Sequence, residues 1–560
     1  MHGGIDQWPR TAVAGGACPV GRSDILHGFP GIGVAGRKRD SALYVGVEDP
    51  DTGAMDIERT RELFEALAIR MNGHTASSVE PRYENPNIPS GYTYLAQFAA
   101  HDLSVNSEDR AELGKTVNAR NMRSLPLALN ALYASGPSIS SFCYQHAPSF
   151  SPDFARLRLE RVGKENGKAP RRDIGRLCEY EAALPRSRPL TADARSDDNA
   201  MISQLTALLS MAHNAAVDVS ARIRPDDTPF AHYKRARLAT TLAYRSILRN
   251  DLLRRLLDRE VFAWYNRSND PGRFLTEMED GSPVTREFAH AAFRIGHSMV
   301  RPFYKFNDHS ETHPIQRVLT RTSELDPQEV PLDRCWIAQW SRFFDIPGAT
   351  APGMLQRGMK IGPGYGSALN AHFKRPYESV GSGLAMRDLM RSAVSGVRKL
   401  DSLRTGITRA APSDFPHRGW LRDGAAHREL LEGWARRATP SGGFGGVFPP
   451  AMSDAQIEAF ASNPPLVLFV TLEAAAKPWH GERLGPIGSI ILAETFFRAL
   501  DDDAALDFLA ASEDEAGEEA VDMVYGTSVP STMPDLVLWL DRNVSASEKV
   551  LPDGQAIPII

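Results

Sequence analysis

The sequence predicts a mainly α-helical protein with little β structure. Apolar residues recur at helical spacing in three long segments, 201–212, 289–300 and 487–497, whereas convincing strand patterns are scarce. Helix-start signals support the same fold class. The stretch SDAQ at 453–456 is a capping-box pattern, and a Ser-Pro pair at 282–283 precedes the second segment.

The segments between these helices indicate one large helical domain with long loops. Pro- and Gly-rich stretches at 346–355, 360–369 and 441–450 are predicted to be loops over one body. The acidic stretch at 501–519 is predicted to be a solvated face or a surface segment.

Composition excludes several classes of protein. The chain has 560 residues, 42% of them hydrophobic, which is enough to bury a large core, and its formal charge is -5. This balance gives no general attraction to nucleic acid or to an anionic membrane, so neither is an expected partner. The oligomeric state stays open.

Cysteine usage and hydropathy favour a cytoplasmic protein. Cys18, Cys143, Cys178 and Cys335 are far apart and form no CxxC pair, so neither a zinc site nor a disulfide framework is indicated. The first residues lack a secretory signal pattern, and the most hydrophobic run, from Pro464, is shorter than the ~20 residues that span a bilayer.

The stretch GYTYLAQFAAHDLSVN at 91–106 places two polar side chains on one helix face. Gln97 and His101 are four residues apart, so both can reach one pocket, while Asp102 points about 100° away. The alternative is a buried histidine that a neighbouring amide satisfies.

Two further segments carry candidate residues. In AFRIGHSMVRPF at 292–303, His297 follows Gly296 and lies one turn after Arg294. The small residue beside the imidazole would let a flat, bulky ligand approach the helix. The alternative is a core histidine with a surface arginine. In ADARSDDN at 192–199, Arg195 and nearby carboxylates also fit an ordinary helix N-terminus.

The order and content of these segments resemble the animal haem peroxidase family, the peroxidase–cyclooxygenase superfamily, and its bacterial members in particular. The resemblance rests on ENPNIPSGYTYLAQFAAHDL, RSLPLALNALYASGP, ADARSDDN, FRIGHSMVRPF, WIAQWSRFFD, LAMRDLMR and GERLGPIGSIILAETF. It implies a haem peroxidase domain at 81–500, an N-terminal arm at 1–80 packed on it, and an acidic segment and C-terminal extension at 501–560.

The resemblance also implies roles for individual residues. His101 matches the distal acid–base residue, Gln97 the distal glutamine that holds water or halide, and Arg195 the distal arginine. His297 matches the proximal iron ligand, and Arg294 the arginine that pairs with a haem propionate.

The chain departs from the family pattern at the residues that bond covalently to haem. Ala100 replaces the aspartate that forms one ester, Asp198 replaces the glutamate that forms the second, and Asn199 replaces the methionine that makes a sulfonium link. We therefore expect haem b held mainly without covalent bonds, with an ester at Asp198 left open.

The calcium loop of the family is altered as well. Asp102 keeps one ligand position, but Ala128 and Asn130 stand where relatives usually place oxygen-bearing side chains. Calcium prefers six to eight oxygens, including carboxylates. A vestigial site that does not hold calcium tightly is expected.

Asp388 stands where relatives have the asparagine that accepts a hydrogen bond from the proximal histidine. A charged acceptor would lower the reduction potential of the iron, which predicts weak or no chloride oxidation. Arg391, one turn further on, is a further candidate for cofactor binding. The alternative is that Asp388 pairs with Arg387 or Arg391 on the helix surface.

The resulting prediction is a haem peroxidase that reduces hydrogen peroxide and oxidises a phenol-like donor, iodide or thiocyanate. One alternative is a fatty-acid oxygenase. Its radical tyrosine would lie where this chain has Arg294, although a tyrosine elsewhere, such as Tyr304, remains available. The other alternative is a haem-binding scaffold that has lost catalysis.

Overall fold

The computed structural model describes residues 43–72, 81–105, 113, 121, 123, 125–145, 155–163, 169–179, 186–267, 274–275, 284–373, 383–437, 451–502 and 517–560. The predicted loop at 441–450, the Ser-Pro pair at 282–283 and most of the acidic stretch lie outside these residues. All the helices and strands named for the fold lie within them.

Helices dominate the described residues, which confirms the predicted fold class. They are α1 Ile57–Met71, α2 Gly91–Leu103, α3 Asn130–Tyr133, α4 Ala200–Ile223, α5 Pro229–Ile247, α6 Leu253–Leu256, α7 Arg259–Arg267, α8 Arg286–His290, α9 Gly296–Met299, α10 Ile315–Thr320, α11 Ser367–His372, α12 Gly383–Val394, α13 Leu400–Ala410, α14 Arg418–Arg422, α15 Gly424–Arg436, α16 Asp454–Ser462, α17 Leu466–Ala475, α18 Pro486–Leu500, α19 Gly517–Tyr525 and α20 Met533–Asn543.

The β structure of the described residues consists of four short antiparallel pairs. They are β1 Glu84–Pro89 with β8 Arg357–Met359, β2 Leu159–Arg161 with β3 Arg171–Ile174, β4 Arg176–Glu179 with β5 Arg186–Pro189, and β6 Phe303–Lys305 with β7 Thr312–Pro314. Each pair is too small to form a layer of its own, so the helices build the core.

Two of the three predicted helical segments are continuous. The segment at 201–212 lies within α4, where the side chain of Asn199 caps the helix by accepting from the Ile202 backbone N–H, and the segment at 487–497 lies within α18. The predicted capping box is also present, because the Ser453 and Gln456 side chains each accept from the other's backbone N–H at the start of α16.

The segment at 289–300 is broken, which differs from the continuous helix that its spacing predicts. Helix α8 ends at His290, because the φ of -139° and ψ of -78° of the next residue, Ala291, are not helical, and a 3-10 turn, Ala292–Ile295, leads into α9. The break releases the carbonyl of His290, and the Ser392 hydroxyl of α12 donates to it at 3.1 Å. A partner from another helix thus offsets the lost helical bond.

The long helices meet around α2 and α4. Helix α2 packs against α4 and α9, and α12 packs against α1, α8 and α17. Every residue of α2 is buried. No helix of the described residues is both long and apolar enough to cross a membrane.

The predicted division into arm, domain and extension stays a prediction. Residues 1–42 lie outside the described part. The first described residues are bound to the helices, since α1 packs on α12 and the backbone N–H of Tyr44 donates to the Val397 carbonyl at 2.7 Å.

Candidate haem site

Asp388 in α12 is the centre of a buried cluster of hydrogen bonds. Its Oδ1 accepts from Nη1 of Arg294 at 2.5 Å, and its Oδ2 lies 2.6 Å from Nδ1 of His297. The hydroxyl of Tyr365 donates to the same Oδ2 at 2.9 Å. All four residues are buried, so Asp388 is not a surface partner of neighbouring arginines.

The charges in this cluster set the direction of the hydrogen bond between His297 and Asp388. Burial alone would raise the pKa of Asp388, but the adjacent His297 and Arg294 hold that pKa below its ordinary value. An ionised carboxylate only accepts, so Nδ1 of His297 donates to it, and in a neutral imidazole with that tautomer Nε2 carries the lone pair.

Nε2 of His297 is buried and has no hydrogen-bond partner among the described residues. A buried polar atom without a partner is costly unless something outside the protein chain satisfies it. A lone pair on one ring nitrogen, with the other donating to a carboxylate, is the arrangement of histidines that bind metals. The geometry of His297 therefore fits the predicted haem iron.

Arg294 and Arg391, the two arginines predicted to bind the cofactor, are both buried and lie at different positions. Nη1 of Arg294 is bound to Asp388, while Arg391 lies one turn after Asp388 in α12 and is also buried. Their predicted roles in holding the cofactor stay predictions.

Gln97 and His101 lie one turn apart in α2, as the spacing predicts, and both are buried. Oε1 of Gln97 accepts from Nδ2 of Asn199 at 3.4 Å, which links α2 to the start of α4. Nε2 of Gln97 is buried without a partner among the described residues. It is thus a second buried nitrogen in this region that could bind a ligand.

The guanidinium of Arg195 is bound to the C-terminal end of α2. Its Nη2 donates to the carbonyls of His101 at 3.0 Å and Ser104 at 2.6 Å, and its Nε and Nη2 donate to the Asp193 carboxylate at 3.0 and 2.7 Å. The structure therefore places Arg195 beside the backbone of His101, where it satisfies carbonyls that the helix leaves open.

A second arginine shares these partners. Arg123 donates from Nε to the His101 carbonyl at 3.0 Å and pairs with Asp193. Burial would raise the pKa of Asp193, but the two guanidinium groups outweigh it and hold that pKa far below its ordinary range. Two guanidinium groups thus share the carboxylate of Asp193 at the C-terminal end of α2.

Asp102 and Asp198, two further residues with predicted roles, both make hydrogen bonds with backbone groups. The carboxylate of Asp102 accepts from the backbone N–H groups of Leu129 at 2.9 Å and Ala131 at 3.0 Å, so amide donors stand where a cation would need oxygen ligands. Asp198 follows the 3-10 helix Ala194–Asp197, and its N–H donates to the Arg195 carbonyl at 3.2 Å.

Three residues of this region were not predicted as site residues: Tyr365, Arg123 and Asp193. Tyr365 lies in the stretch KIGPGYGSAL, which was predicted to be a loop; a buried aromatic residue among glycines was its only signal. Asp193 stands two residues before Arg195, a spacing too common to be informative. Arg123 had no signal in the sequence.

Comparison with protein families finds one match. Residues 149–416 match the family described as animal haem peroxidase. This stretch, somewhat less than half of the chain, is therefore similar to an animal haem peroxidase domain. The matched range includes Arg195, Arg294, His297 and Asp388 but begins after α2, so it does not assign roles to Gln97 and His101.

Solved structures support the animal haem peroxidase fold. Peroxidase A from Dictyostelium discoideum has a TM-score of 0.53 and 15% identity, over 94% of this chain and 95% of that one. Fatty acid alpha-dioxygenases from Oryza sativa and Arabidopsis thaliana have the same TM-score and 14% identity, over 94% of this chain and 90% and 87% of theirs. A search of curated sequences found no significant match.

Proposed function

We propose that the protein is a peroxidase that reduces hydrogen peroxide at a haem iron bound by His297 and oxidises a small donor. One observation carries this proposal: Asp388 holds His297 through Nδ1, while the buried Nε2 has no partner among the described residues. Haem supplies the redox chemistry when it is bound. The match of residues 149–416 to the animal haem peroxidase family supports the cofactor.

The residues of α2 would handle the proton. His101 would accept a proton from peroxide and return it to the departing oxygen, which a neutral imidazole can do in both steps. Gln97 would orient water or peroxide through its Nε2 donor. Arg195 would contribute positive charge while its bonds to the α2 carbonyls hold His101 in place.

The proposed class of electron donor follows from the carboxylate that accepts from His297. A carboxylate partner makes the imidazole a stronger electron donor and lowers the reduction potential of the bound iron. Weak or no oxidation of chloride follows, with phenols, iodide or thiocyanate as donors. We further propose haem b without an ester at position 100, where the chain has Ala100.

The test is the rate at which hydrogen peroxide changes the Soret absorption of the holoprotein in a stopped-flow spectrometer. We expect His101→Ala and Arg195→Ala to slow this change by ~100-fold or more, the low end for positioned acid–base groups. Unchanged rates in both variants would remove these residues from the proposed chemistry.

Arg123→Ala is the matched control for Arg195→Ala. Both arginines donate to the His101 carbonyl and pair with Asp193, so both substitutions loosen the same helix end and remove the same charge. A larger loss for Arg195→Ala would support a role at peroxide. Equal losses would show that Arg195 acts only by positioning His101.

A fatty-acid oxygenase is the second candidate, which the likeness to two fatty acid alpha-dioxygenases favours. This chemistry needs an oxidisable tyrosine, and Tyr365 is buried with its ring centroid 5.7 Å from that of His297. Oxygen uptake with a fatty acid, lost in Tyr365→Phe, would favour the oxygenase. Peroxide-dependent oxidation of a phenol without oxygen uptake would favour the peroxidase.

A further inference from the structure

Three arginines line a cleft that is separate from the haem site. The cleft has a volume of about 580 Å³, and its lining residues are Arg254, Arg259, Arg483, Asn250, Asn266 and Phe262. We call it the arginine cleft. Its size is that of a small-molecule site, and none of its lining side chains is a carboxylate.

The position of the arginine cleft distinguishes it from the haem site. Arg255, the neighbour of Arg254 in the chain, lies over the ring of Tyr92 with 4.5 Å between guanidinium carbon and ring centroid. Tyr92 is at the start of α2, nine residues before His101, which is roughly 13 Å along a helix.

Arg483 is held beside the other two arginines. Its Nη1 donates to the carbonyls of Arg254, Arg255 and Leu257, while its Nε is buried and has no partner in the described part of the chain. Burial lowers the pKa of Arg483, and the charges of Arg259, Arg255 and Arg254 lower it further, while Asp258 opposes them only in part.

Two carboxylates near the arginine cleft form hydrogen bonds with groups other than its three arginines. Asp258 is bound to His417 at 2.8 Å and to the indole N–H of Trp479 at 2.9 Å, and Glu482 accepts from Asn87 at 2.9 Å. Among the described residues, no carboxylate pairs with Arg254, Arg259 or Arg483. Like charges held together without a direct ion pair lower stability unless a bound anion neutralises them.

We propose that the arginine cleft binds a small phosphate-bearing anion, such as a diphosphate. A singly charged anion fills one guanidinium fork, whereas a diphosphate offers several oxygens to the forks of Arg254 and Arg259 and more than one charge to all three arginines. The amides of Asn250 and Asn266 add neutral donors at the cleft wall, and the ring of Phe262 offers an apolar surface for the body of an organic phosphate.

This proposal is tested by calorimetric titration of the full-length holoprotein with sodium pyrophosphate. Physiological ionic strength is used because salt then screens weak, non-specific electrostatic attraction. We expect the double variant Arg254→Gln/Arg259→Gln to bind pyrophosphate at least tenfold more weakly, because charge-assisted hydrogen bonds are lost. The control, Arg59→Gln/Arg61→Gln, removes the same charge from the exposed face of α1 and should bind like the wild type.

Pyrophosphate should also raise the melting temperature of the wild type and the control but not that of the cleft variant. Without anion, the cleft variant should melt at the same or a higher temperature, since repulsion is relieved. Equal affinity in all three proteins, or no binding at millimolar pyrophosphate, would overturn the proposal. Citrate binding more tightly than pyrophosphate would overturn its phosphate specificity, and weaker citrate binding would support it.

Discussion

At the scale of single residues, Asp388 determines the electronic character of the candidate haem site. One carboxylate accepts from a cation, an imidazole and a phenol, all of them buried. The donors compete for the same negative charge. Arg294 and Tyr365 therefore reduce the share of that charge that reaches His297, and under the proposed ligation the potential of the haem iron would depend on all three contacts.

Substitutions of Tyr365 and Asp388 should shift the reduction potential in opposite directions. Tyr365→Phe removes a donor from Asp388, which strengthens the charge felt by His297 and lowers the potential. Asp388→Asn removes the charge and raises it. We expect shifts of roughly 60 mV, equal to a tenfold change in a one-electron equilibrium, measured by spectroelectrochemical titration of the holoprotein.

Tyr44→Phe is the matched control for these potentials. Tyr44 is also buried, but its hydroxyl has no partner among the described residues, so its removal should leave the potential unchanged. A shift of the same sign for Tyr365→Phe and Asp388→Asn would contradict the proposed competition for charge.

At the scale of helices and loops, the two ends of the candidate site are held in different ways. The C-terminal carbonyls of α2 are satisfied by Arg123 and Arg195, cations placed where the helix dipole favours them. Across the site, His297 lies on a helix of a single turn, whose position depends on the side-chain contacts to α12.

The loop before α3 should depend on Asp102 and not on calcium. Leu127 and Leu129 have φ angles of 54° and 55°, which cost energy for residues other than glycine, and Asp102 accepts from two N–H groups of this loop. Asp102→Ala should lower the free energy of unfolding by about 2 kcal/mol or more, through two buried donors left without an acceptor.

Chemical denaturation with and without EDTA measures both parts of this prediction. The wild type should be insensitive to EDTA, and Asp226→Ala, which removes an exposed carboxylate, should match the wild type. A loss of stability on adding EDTA to the wild type, absent in Asp102→Ala, would instead show that Asp102 binds a cation.

At the scale of the whole molecule, Glu473 joins three helices within the core. From α17 its carboxylate accepts from the Trp420 indole of α14 at 2.8 Å and from the backbone N–H groups of Ile487 and Gly488 of α18, both at 3.1 Å. It thereby satisfies donors at the start of α18 that the helix leaves open. Burial raises the pKa of Glu473 to about 7, although these N–H groups favour the charged form.

The contribution of Glu473 to the stability of the protein should therefore fall as the pH rises from about 4.5 to about 7. In this range the folded state keeps a proton that the unfolded state, with a pKa of 4.5, has released. The contribution is fully present below pH 4.5 and lost above pH 7, and it amounts to roughly 3 kcal/mol.

Urea denaturation at a series of pH values measures this slope. Glu473→Gln cannot titrate and should show a smaller decline than the wild type across the same pH range, whereas Glu429→Gln, on the exposed face of α15, should follow the wild type. Parallel pH profiles for the wild type and Glu473→Gln would contradict the raised pKa.

Helical periodicity predicted the mainly α fold, the position of α4 and α18 and the shared face of Gln97 and His101. It did not predict the break at Ala291, because the bond that compensates for it comes from Ser392, about a hundred residues away. Periodicity reports interactions within a few residues, so a helix that ends because of a distant partner leaves no local pattern.

By itself, the sequence indicated Gln97, His101, His297 and Asp388 as candidate site residues and predicted the helix face that Gln97 and His101 share. Only the tertiary structure decided their contacts. Asp388 meets His297 across 91 positions, Tyr365 joins them from a glycine-rich loop, and Arg195 lies on the end of α2. A hydrogen bond depends on distance and direction at the scale of tenths of an ångström, and packing of the whole core sets these quantities.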